Sequence, residues 1–450
     1  MKHNIYKAFA VIAVFTAIAN SATAQKTMKL TLDDAVKLAT QNSKQLKLSN
    51  ARVDEAIATY HDIWNNHLPD VKVSGAYLRV DNPTVSLKVK LGSSSSTDTT
   101  KKSSSPVKVN EVEYVMANAS LPLFSGLRIK YGVESAKYLE EASKLDAAND
   151  KEGVMFNATD AYVNLFKAMK AVELVEDNLK QQQQRVTDFT NLEKNGLLAR
   201  NDLLKAQLQQ ANIELSLLEA KNNLKITNVN MDLLLGLPED TELIPDNAEL
   251  GLPGEIVSLV SWEQTALQNR KDIASLTWKE KAANSAIKSV KGEYYPGLAL
   301  TGGYVAANIP NLLTVTNALN IGIGLQYNLG SLWKTGAKVA QAQARQHEIT
   351  AMQDMLTDQV RLQINQAYQN FLLSVKKIEV YARAVGQSIE NYRITKNKYD
   401  NSLVTTTDLL EADVAQLQAQ LNFTLSQAES FVAYKKLQLA AGSLTETPKK

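Results

Sequence analysis

The hydrophobic pattern divides the chain into short alternating segments and very long helical ones. Between residues 319 and 329, apolar side chains occupy every odd position, whereas asparagine, glycine and glutamine occupy the even positions. This alternation predicts a strand with one apolar and one polar face. Its length suits a tilted membrane strand, and a half-buried strand of a soluble sheet fits the pattern equally well.

Helical composition dominates the segments that follow the strands. Residues 127–194 contain no proline and only two glycines, which predicts one helix; at 1.5 Å per residue it would be about 100 Å long. A second helix is predicted for residues 201–235, whose apolar side chains at 204, 208, 211, 215 and 218 have the spacing of a coiled-coil seam. Together with a helix at 31–66 it reaches a similar length, so two shorter helices can stack end to end beside the long one.

The chain contains this arrangement twice. A shift of 227 residues aligns Pro69 with Pro296, and a shift of 206 aligns Gly236 with Gly442. The shift falls by 21 (227 − 206) between the paired strands, so the first copy has the longer connection between its strands. The predicted source is the segment 93–105, in which ten of thirteen residues are Ser or Thr and which therefore cannot build a core.

The predicted boundaries follow from these patterns. They give a signal peptide (1–24), repeat 1 (25–236), a linker rich in Pro, Gly and acidic residues (237–256), repeat 2 (257–442) and a C-terminal tail (443–450). Repeat 1 is predicted to contain a helix at 31–66, strands at 71–80 and 107–121, and helices at 127–194 and 201–235. Repeat 2 is predicted to contain a helix at 258–293, strands at 298–308 and 319–329, and helices at 334–400 and 408–441.

The N-terminus has the features of a secretory signal peptide. Lys2 and Lys7 precede an apolar run at 8–19. Ala22 and Ala24, which follow it, are small residues at the positions that signal peptidase recognises. The alternative, a membrane anchor, would need a longer apolar run. No later segment offers 18 consecutive apolar residues, so any further membrane crossing is predicted to use strands.

Charge and composition exclude several classes of function. The net charge is +2 without a long basic run, which gives no support for nucleic-acid binding. The chain has no cysteine, so disulfides, thiolate catalysis and a lipid-modified cysteine are excluded. His61 and His67 do not have metal-ligand spacing on a helix, and no nucleophile or phosphate-binding motif is present. We therefore expect neither an enzyme nor a bound cofactor or metal.

The number of strands predicts an oligomer. Two strands per copy give four per chain, and four strands cannot close a barrel around a water-filled lumen. An open strand edge in lipid would leave backbone groups without hydrogen bonds. Eight, twelve or sixteen strands would come from two, three or four chains.

Four motifs, in order, carry a resemblance to a known family. They are Leu30-Thr31-Leu32-Asp33-Asp34-Ala35-Val36, Leu68-Pro69, Leu121-Pro122-Leu123-Phe124-Ser125-Gly126 and Gly196-Leu197-Leu198-Ala199. In this order, and within a duplicated chain, they resemble the outer membrane efflux proteins, the family of TolC-like outer membrane channels. The resemblance covers about residues 30–442. It implies an α+β membrane protein: a trimeric twelve-stranded β-barrel, four strands per chain, continued by a long periplasmic α-helical coiled-coil barrel.

The resemblance also implies a function and partners. The expected protein is a homotrimer in the outer membrane of a Gram-negative bacterium, embedded in the lipid bilayer and extending into the periplasm. It would pass drugs and other small molecules from a periplasmic adaptor (membrane fusion) protein and an inner-membrane pump to the outside. One alternative is the duct of a type I protein secretion system; another, of a different class, is a periplasmic coiled-coil scaffold or adaptor.

Two helical turns match the hairpin tips at which the family contacts its adaptor. The alternative is that their leucines merely stabilise each helical hairpin. The expected docking residues are Gly196, Leu197, Leu198 and Ala199 in the first copy and Ser402, Leu403, Val404 and Thr405 in the second.

Four residues match positions at which the family closes its periplasmic entrance: Asp202, Tyr399, Asp408 and Glu411. In the trimer that the resemblance implies, the copies of Asp408 and Glu411 would form two stacked rings of carboxylates, which attract cations. The same spacing also resembles a capping box at the start of a helix. Where the best-known family member has a gate arginine, this chain has Val404, so an arginine clasp is not expected at that point; Arg200, in the tip of the first copy, is a candidate substitute.

Overall fold

The computed structural model describes residues 27–81, 109–246, 257–310 and 312–444. The predicted signal peptide, the Ser-rich segment 93–105, part of the linker and the last six residues lie outside these ranges. The described residues form two compact units. Of the described residues, the helical unit contains 27–51, 144–246, 257–274 and 354–444, and the sheet unit contains 52–81, 109–143, 275–310 and 312–353.

Each copy contains a pair of short helices, a pair of strands and a pair of long helices. The first copy comprises β1 (Thr27–Leu30), α1 (Leu32–Asn42), α2 (Lys44–Asn65), β2 (Asp70–Arg79), β3 (Glu111–Phe124), α3 (Arg128–Lys194), α4 (Arg200–Leu235) and β4 (Glu242–Pro245). The second comprises α5 (Leu259–Asn269), α6 (Lys271–Lys291), a 3₁₀ turn (Gly292–Tyr294), β5 (Gly297–Ile309), β6 (Leu313–Gln326), α7 (Ser331–Asp400) and α8 (Thr406–Ala440).

The prediction of one continuous first helix in each copy is wrong. Ser43 and Arg270 adopt extended backbone conformations (ψ 121° and 125°), and each separates two helices. Neither break is marked by proline or glycine. Ser43 caps the helix that follows it, since its hydroxyl accepts from the Leu46 N–H at 3.2 Å, and tertiary contacts support both breaks. Asn42 donates to the Leu235 carbonyl at 2.6 Å, and in the second copy Arg270 donates to the Ala440 carbonyl at 3.0 Å. Each break thus satisfies carbonyls at the end of the returning helix, which lack intrahelical partners.

Glycine is required where α4 ends at this joint. Gly236 is left-handed (φ 71°), and a Cβ there would lie 3.0 Å from the Asn42 Cβ. Gly442, its equivalent, has φ 65° and would place a Cβ 3.0 Å from the Arg270 backbone. The positive φ and the close approach both favour glycine, which has no side chain to collide.

A short parallel ladder was missed by the sequence analysis. β1 pairs with β4, with Thr27 opposite Glu242, so part of the predicted linker is a strand. The buried Tyr162 hydroxyl joins the ladder by donating to the carbonyls of Asp246 (2.8 Å) and Leu30 (3.2 Å). Four residues of β1 are too few to produce a recognisable alternation.

The remaining four strands form one antiparallel sheet in the order β2-β3-β5-β6. β3 pairs with β5, so the sheet joins the two copies. β3 continues beyond its predicted end through Pro122, where the register shifts, since a bulge tolerates a residue without an N–H. β6 begins earlier than predicted, at Leu313, because residues 313–315 still pair with β5. Its regular ladder ends at Gln326, so Tyr327 and Leu329 follow the strand.

Buried Asp232 makes the fold sensitive to pH. Its side chain is fully buried near the end of α4 and accepts from Asn228 at 2.9 Å. Burial, reinforced by the nearby Asp240 and Glu239 carboxylates, raises the pKa of Asp232 to about 6. The equivalent position in the second copy is Gln438, an uncharged side chain that is also buried.

We expect Asp232→Asn to remove part of the pH dependence of unfolding. An acid whose pKa is raised in the folded state stabilises that state fully below its ordinary pKa of 3.8, and this contribution disappears as the pH rises through about 6. The original protein should therefore lose stability relative to Asp232→Asn between pH 4 and pH 7. Urea unfolding at several pH values measures this difference; parallel curves for the two proteins would contradict it.

Candidate functional site

The sheet has one face that is apolar across all four strands, and its opposite face is polar or glycine-rich around Asn118, Ser120 and Asn320. In β6, Leu319 and Ile321 are each 81% exposed, and Asn320 and Gly322 lie on the opposite face. The ladder places Leu300 opposite Ile323 and extends the apolar face through β3 into β2. Its members are Val71, Val73, Val115, Ala117, Ala119, Leu121, Leu298, Leu300, Tyr304, Leu319, Ile321, Ile323 and Leu325.

This exposure distinguishes the sheet from a half-buried soluble one. Within the described part of the chain, the apolar side chains of β6 are not covered by any other element, and Ile323 and Leu325 are about as exposed as residues in open solvent (72% and 69%). A contiguous exposed apolar surface marks a partner or a lipid interface. The opposite face carries side chains such as Asn118, Ser120 and Gln326, which suit contact with water.

The sheet ends in two open edges. Among the described strands, β2 pairs only with β3, and β6 pairs only with β5. Each outer strand therefore presents a row of backbone groups without a partner in the chain. Strands from other chains must supply these partners if the apolar face contacts lipid.

The two hairpin tips share one turn geometry. Gly196 (φ 72°) and Ser402 (φ 61°) are left-handed, and the following Leu197 and Leu403 donate their N–H groups to carbonyls five residues back at 2.9 and 2.8 Å. The two leucine side chains are 74% and 73% exposed. The sequence-predicted docking residues are thus arranged alike in both copies, with one leucine projecting from each tip.

The other predicted tip residues have structural contacts. Leu198 packs against the cluster of Phe189 and Leu203, as the hairpin-stabilising alternative expects. Ala199 precedes α4 without a side-chain cap, whereas Thr405 caps α8. Val404 is half-buried. Arg200 pairs with Glu193 of its own hairpin at 3.5 Å.

Asp408 forms a complete capping box with Thr405. Its carboxylate accepts from the Thr405 N–H at 2.8 Å and from the Thr405 hydroxyl at 2.7 Å. These hydrogen bonds hold the pKa of Asp408 below its ordinary value, so the side chain carries a full negative charge at neutral pH. The predicted capping pair of Asp408 and Glu411 is therefore corrected: Thr405 is the N-cap, and Asp408 closes the box from the third helical position while keeping its charge.

The remaining predicted gate residues lie where the two hairpins meet. Asp202 is 3.4 Å from the Lys205 ammonium, which also donates to the Thr407 hydroxyl at 3.2 Å across to α8. Tyr399 lies 3.3 Å from the Thr406 hydroxyl, and its ring stacks on Phe189 at 5.8 Å. Glu411 and Lys205 line the same groove between α4 and α8.

A buried ion pair near the tips was missed by the sequence analysis. Arg185 in α3 lies 3.3 Å from the Asp413 carboxylate in α8, and their side chains are 10% and 3% exposed. Gln182 also donates to Asp413, and Arg185 donates to the Tyr392 hydroxyl at 2.8 Å. In the sequence, Asp413 is visible only as an acid that follows the apolar residues Leu409, Leu410 and Ala412, which the structure buries. No local pattern identifies its partner in α3.

Within the described ranges, no helix is both long and apolar enough to cross a membrane, and no three His, Cys, Asp or Glu side chains are grouped to bind a metal.

Comparison with known proteins agrees with these features. The profile of a family described as "Outer membrane efflux protein" matches residues 35–237 and 262–443, one segment in each copy. Outer membrane efflux protein BepC of Brucella suis is 21% identical over 99% of this chain and 93% of its own length. Alkaline protease secretion protein AprF of Pseudomonas aeruginosa is 21% identical over 71% of this chain and 66% of its own. The structure of the Campylobacter jejuni CmeC outer membrane channel matches with a TM-score of 0.76 at 18% identity, covering 93% of this chain and 87% of that one.

Proposed function

Because this chain belongs to the outer membrane efflux protein family, we propose that three copies form one export duct and that each contributes four strands to a shared twelve-stranded barrel. The family consists of outer-membrane channels and not of enzymes, and the long helices, the strands and the internal repeat match its fold. The main support for the trimer is that the sheet has an exposed apolar face and two open edges. Closure with neighbouring chains satisfies both edges and places the polar face around water.

The hairpin tips are proposed to dock a periplasmic adaptor that connects the channel to an inner-membrane pump. Leu197 and Leu403 support this role, since each projects from a tip with about three quarters of its side chain exposed. Two similar tips per chain would give a trimer six similar docking positions. Six such leucines at neighbouring tips would form an exposed apolar patch, and such patches mark protein-interaction sites.

Small molecules are the proposed cargo, as in the sequence-based expectation. The alternative of protein secretion is favoured by one observation, the similarity to the AprF protein, whose name describes secretion of an alkaline protease. Deleting the gene distinguishes the two. Increased sensitivity to drugs or dyes with normal extracellular protein supports small-molecule export, and the reverse supports protein secretion.

The duct itself is tested with protein purified from outer membranes. We expect a trimer that resists dissociation by detergent and conducts ions in planar lipid bilayers. A strictly monomeric, water-soluble protein without conductance would instead favour the scaffold alternative.

Asp408 and Glu411 are proposed as the gate. We expect Asp408→Ala with Glu411→Ala to raise the conductance of the closed channel and to weaken its block by divalent cations, because two rings of carboxylates would be removed. Thr405→Ala is the matched control, since it removes the capping hydroxyl, a loss of about 0.5–2 kcal/mol in helix stability, and keeps both carboxylates. If the control changes conductance as much as the double variant, the pair serves only the helix cap.

A further inference from the structure

Next to the sheet, α3 of the first copy and α6 of the second lie side by side within one chain. Three serine hydroxyls donate across this contact to backbone carbonyls of the other helix: Ser275 to Ala142 (3.2 Å), Ser135 to Ala282 (2.9 Å) and Ser289 to Arg128 (2.9 Å). The two helices are antiparallel, and on each of them the contacting positions are seven residues apart, as in the seam of a coiled coil. We call this contact the internal seam.

The sheet shows that the two repeat shifts carry a contact of the first copy into the second. In the first hairpin of strands, Asp70 lies opposite Ser120. Adding 227 to the first number and 206 to the second gives Gly297 opposite Gln326, which is the pairing that the second hairpin has. Contacts as well as residues are therefore repeated in this part of the chain.

The same shifts turn the contact between the copies into a contact between neighbouring chains. Ala117 of β3 lies opposite Tyr304 of β5. Their equivalents are Ile323 of β6 and Tyr77 of β2, which belong to the two outer strands of the sheet and lie on the apolar face. By the same relation, the equivalent of the internal seam joins α7 of one chain to α2 of the next. We call this second contact the outer seam.

Charged side chains replace small ones at the end of the outer seam that is next to the sheet. The equivalents of Ser289 and Ala282 on α2 are Asp62 and Glu55, both acidic. The α7 residue that would face Asp62 is Lys334. All three charged residues are exposed in the single chain. This end of the outer seam is thus acidic on α2 and basic on α7.

Further from the sheet, the charges of the outer seam are reversed. Within one chain, burial raises the pKa of Glu152 in α3, and the positive charge of Lys271 at the start of α6 opposes that rise. The equivalents of these two residues are Asp358 of α7 and Lys44 of α2. The Asp358 side chain is 80% exposed and lies 3.7 Å from Arg361 of its own helix, and Lys44 is exposed. In antiparallel contact, each end of α2 therefore meets the opposite charge on α7.

We propose that neighbouring chains join along the outer seam by opposite charge, with Asp62 of one chain beside Lys334 of the next and Lys44 beside Asp358. The inference rests on the proposed trimer and adds the surface and the force that select the neighbour. All chains enter the membrane in the same sense, so two α2 helices side by side would run parallel and place like charges together. Only α2 against α7 matches, and this head-to-tail contact closes a ring.

Exchanging the charges tests the force. Asp62→Lys should lower the temperature at which purified trimers dissociate in detergent by several degrees, because like charges then face each other in every outer seam. Adding Lys334→Asp should restore most of this temperature. Asp62→Lys with Lys44→Asp is the matched control, since it makes the same kinds of substitution but leaves both pairs mismatched, and it should dissociate no later than Asp62→Lys alone. The differences should shrink in about 1 M salt, which screens charges beyond about 3 Å.

Cysteine cross-linking tests the contact itself, and the chain contains no native cysteine. Asp62→Cys with Lys334→Cys and a cleavable thiol-specific cross-linker should give covalent dimers and trimers, and neither single variant should. Ser289→Cys with Arg128→Cys, the equivalent pair inside one chain, should react without forming oligomers. A conducting trimer that gives no covalent oligomer, or whose dissociation temperature does not respond to the charge exchange, would overturn the inference alone. Failure of the unsubstituted protein to form a conducting trimer would overturn the proposed function.

Discussion

Ile321→Arg is expected to prevent most of the protein from assembling in the outer membrane. Ile321 lies within β6 on the apolar face and is 81% exposed, so an arginine there would enter the hydrocarbon region of the bilayer. An arginine near the midplane of a membrane strand costs about 2–4 kcal/mol. Three chains would bring three such residues into one barrel, which multiplies the effect on the assembled trimer.

The neighbouring residue provides the matched control. Asn320 precedes Ile321 and lies on the polar face, so Asn320→Arg adds the same charge where water is expected. We expect Asn320→Arg to assemble normally and to shift ion selectivity towards anions. The measurements are the fraction of detergent-resistant trimer in outer-membrane extracts and, for the control, the reversal potential in a salt gradient. Equal assembly of the two variants would mean that the apolar face does not contact lipid.

Asp413→Ala is expected to loosen the contact between the two hairpins of each chain. The substitution leaves the Arg185 guanidinium, which is 10% exposed, without its carboxylate, and Gln182 loses an acceptor. Removing one member of a buried ion pair costs about 3–5 kcal/mol. Each 1.4 kcal/mol corresponds to a factor of about ten in an equilibrium constant. Local opening of α8 near residue 413 should therefore become at least about a hundredfold more frequent.

A second variant separates the charge from the packing. Arg185→Met with Asp413→Leu removes both charges and fills similar space, and such replacements are often neutral in stability. We expect this double variant to recover most of the protection lost in Asp413→Ala. Amide hydrogen exchange of α8 in detergent-solubilised protein measures both effects. Exchange in Asp413→Ala at the rate of the original protein would mean that the pair contributes little to closure.

The duplicated long helices and the paired strands were predictable because they depend on patterns sustained over many residues. The alternation through Ile321 and the shift of 206 residues required no knowledge of contacts. The helix breaks at Ser43 and Arg270 were not predictable, since they depend on carbonyls of Leu235 and Ala440 far along the chain. Local propensity favours a continuous helix at Arg270, whereas Ser43 is a local capping signal that the periodic pattern hides; tertiary hydrogen bonds fix both breaks.

In the candidate site, too, local features could be predicted from the sequence and long-range contacts could not. The tip leucines and a capping box at the start of α8 were predicted because their signals lie within a few residues, but the predicted pair of Asp408 and Glu411 was wrong, since the box consists of Thr405 and Asp408. The partnership of Arg185 and Asp413 joins residues 228 apart, and one sequence contains no local signal for it. The placement of Leu198 against Phe189 likewise depends on how the two helices of the hairpin meet.

The parallel pair of β1 and β4 sets an order for folding. Thr27 cannot pair with Glu242 until the whole first copy has reached the compartment in which it folds. Contacts of such large sequence separation form slowly. The hydrogen bonds of this ladder, including those of Tyr162, join only residues of the first copy, whereas the core around it also includes Ala428 and Phe431 of α8. The membrane sheet needs more chain, because β3 pairs with β5 and the last strand ends at Gln326. The ladder can therefore form its hydrogen bonds as soon as the first copy is complete, while the two apolar strands of that copy still await the partners that will accompany them into the bilayer.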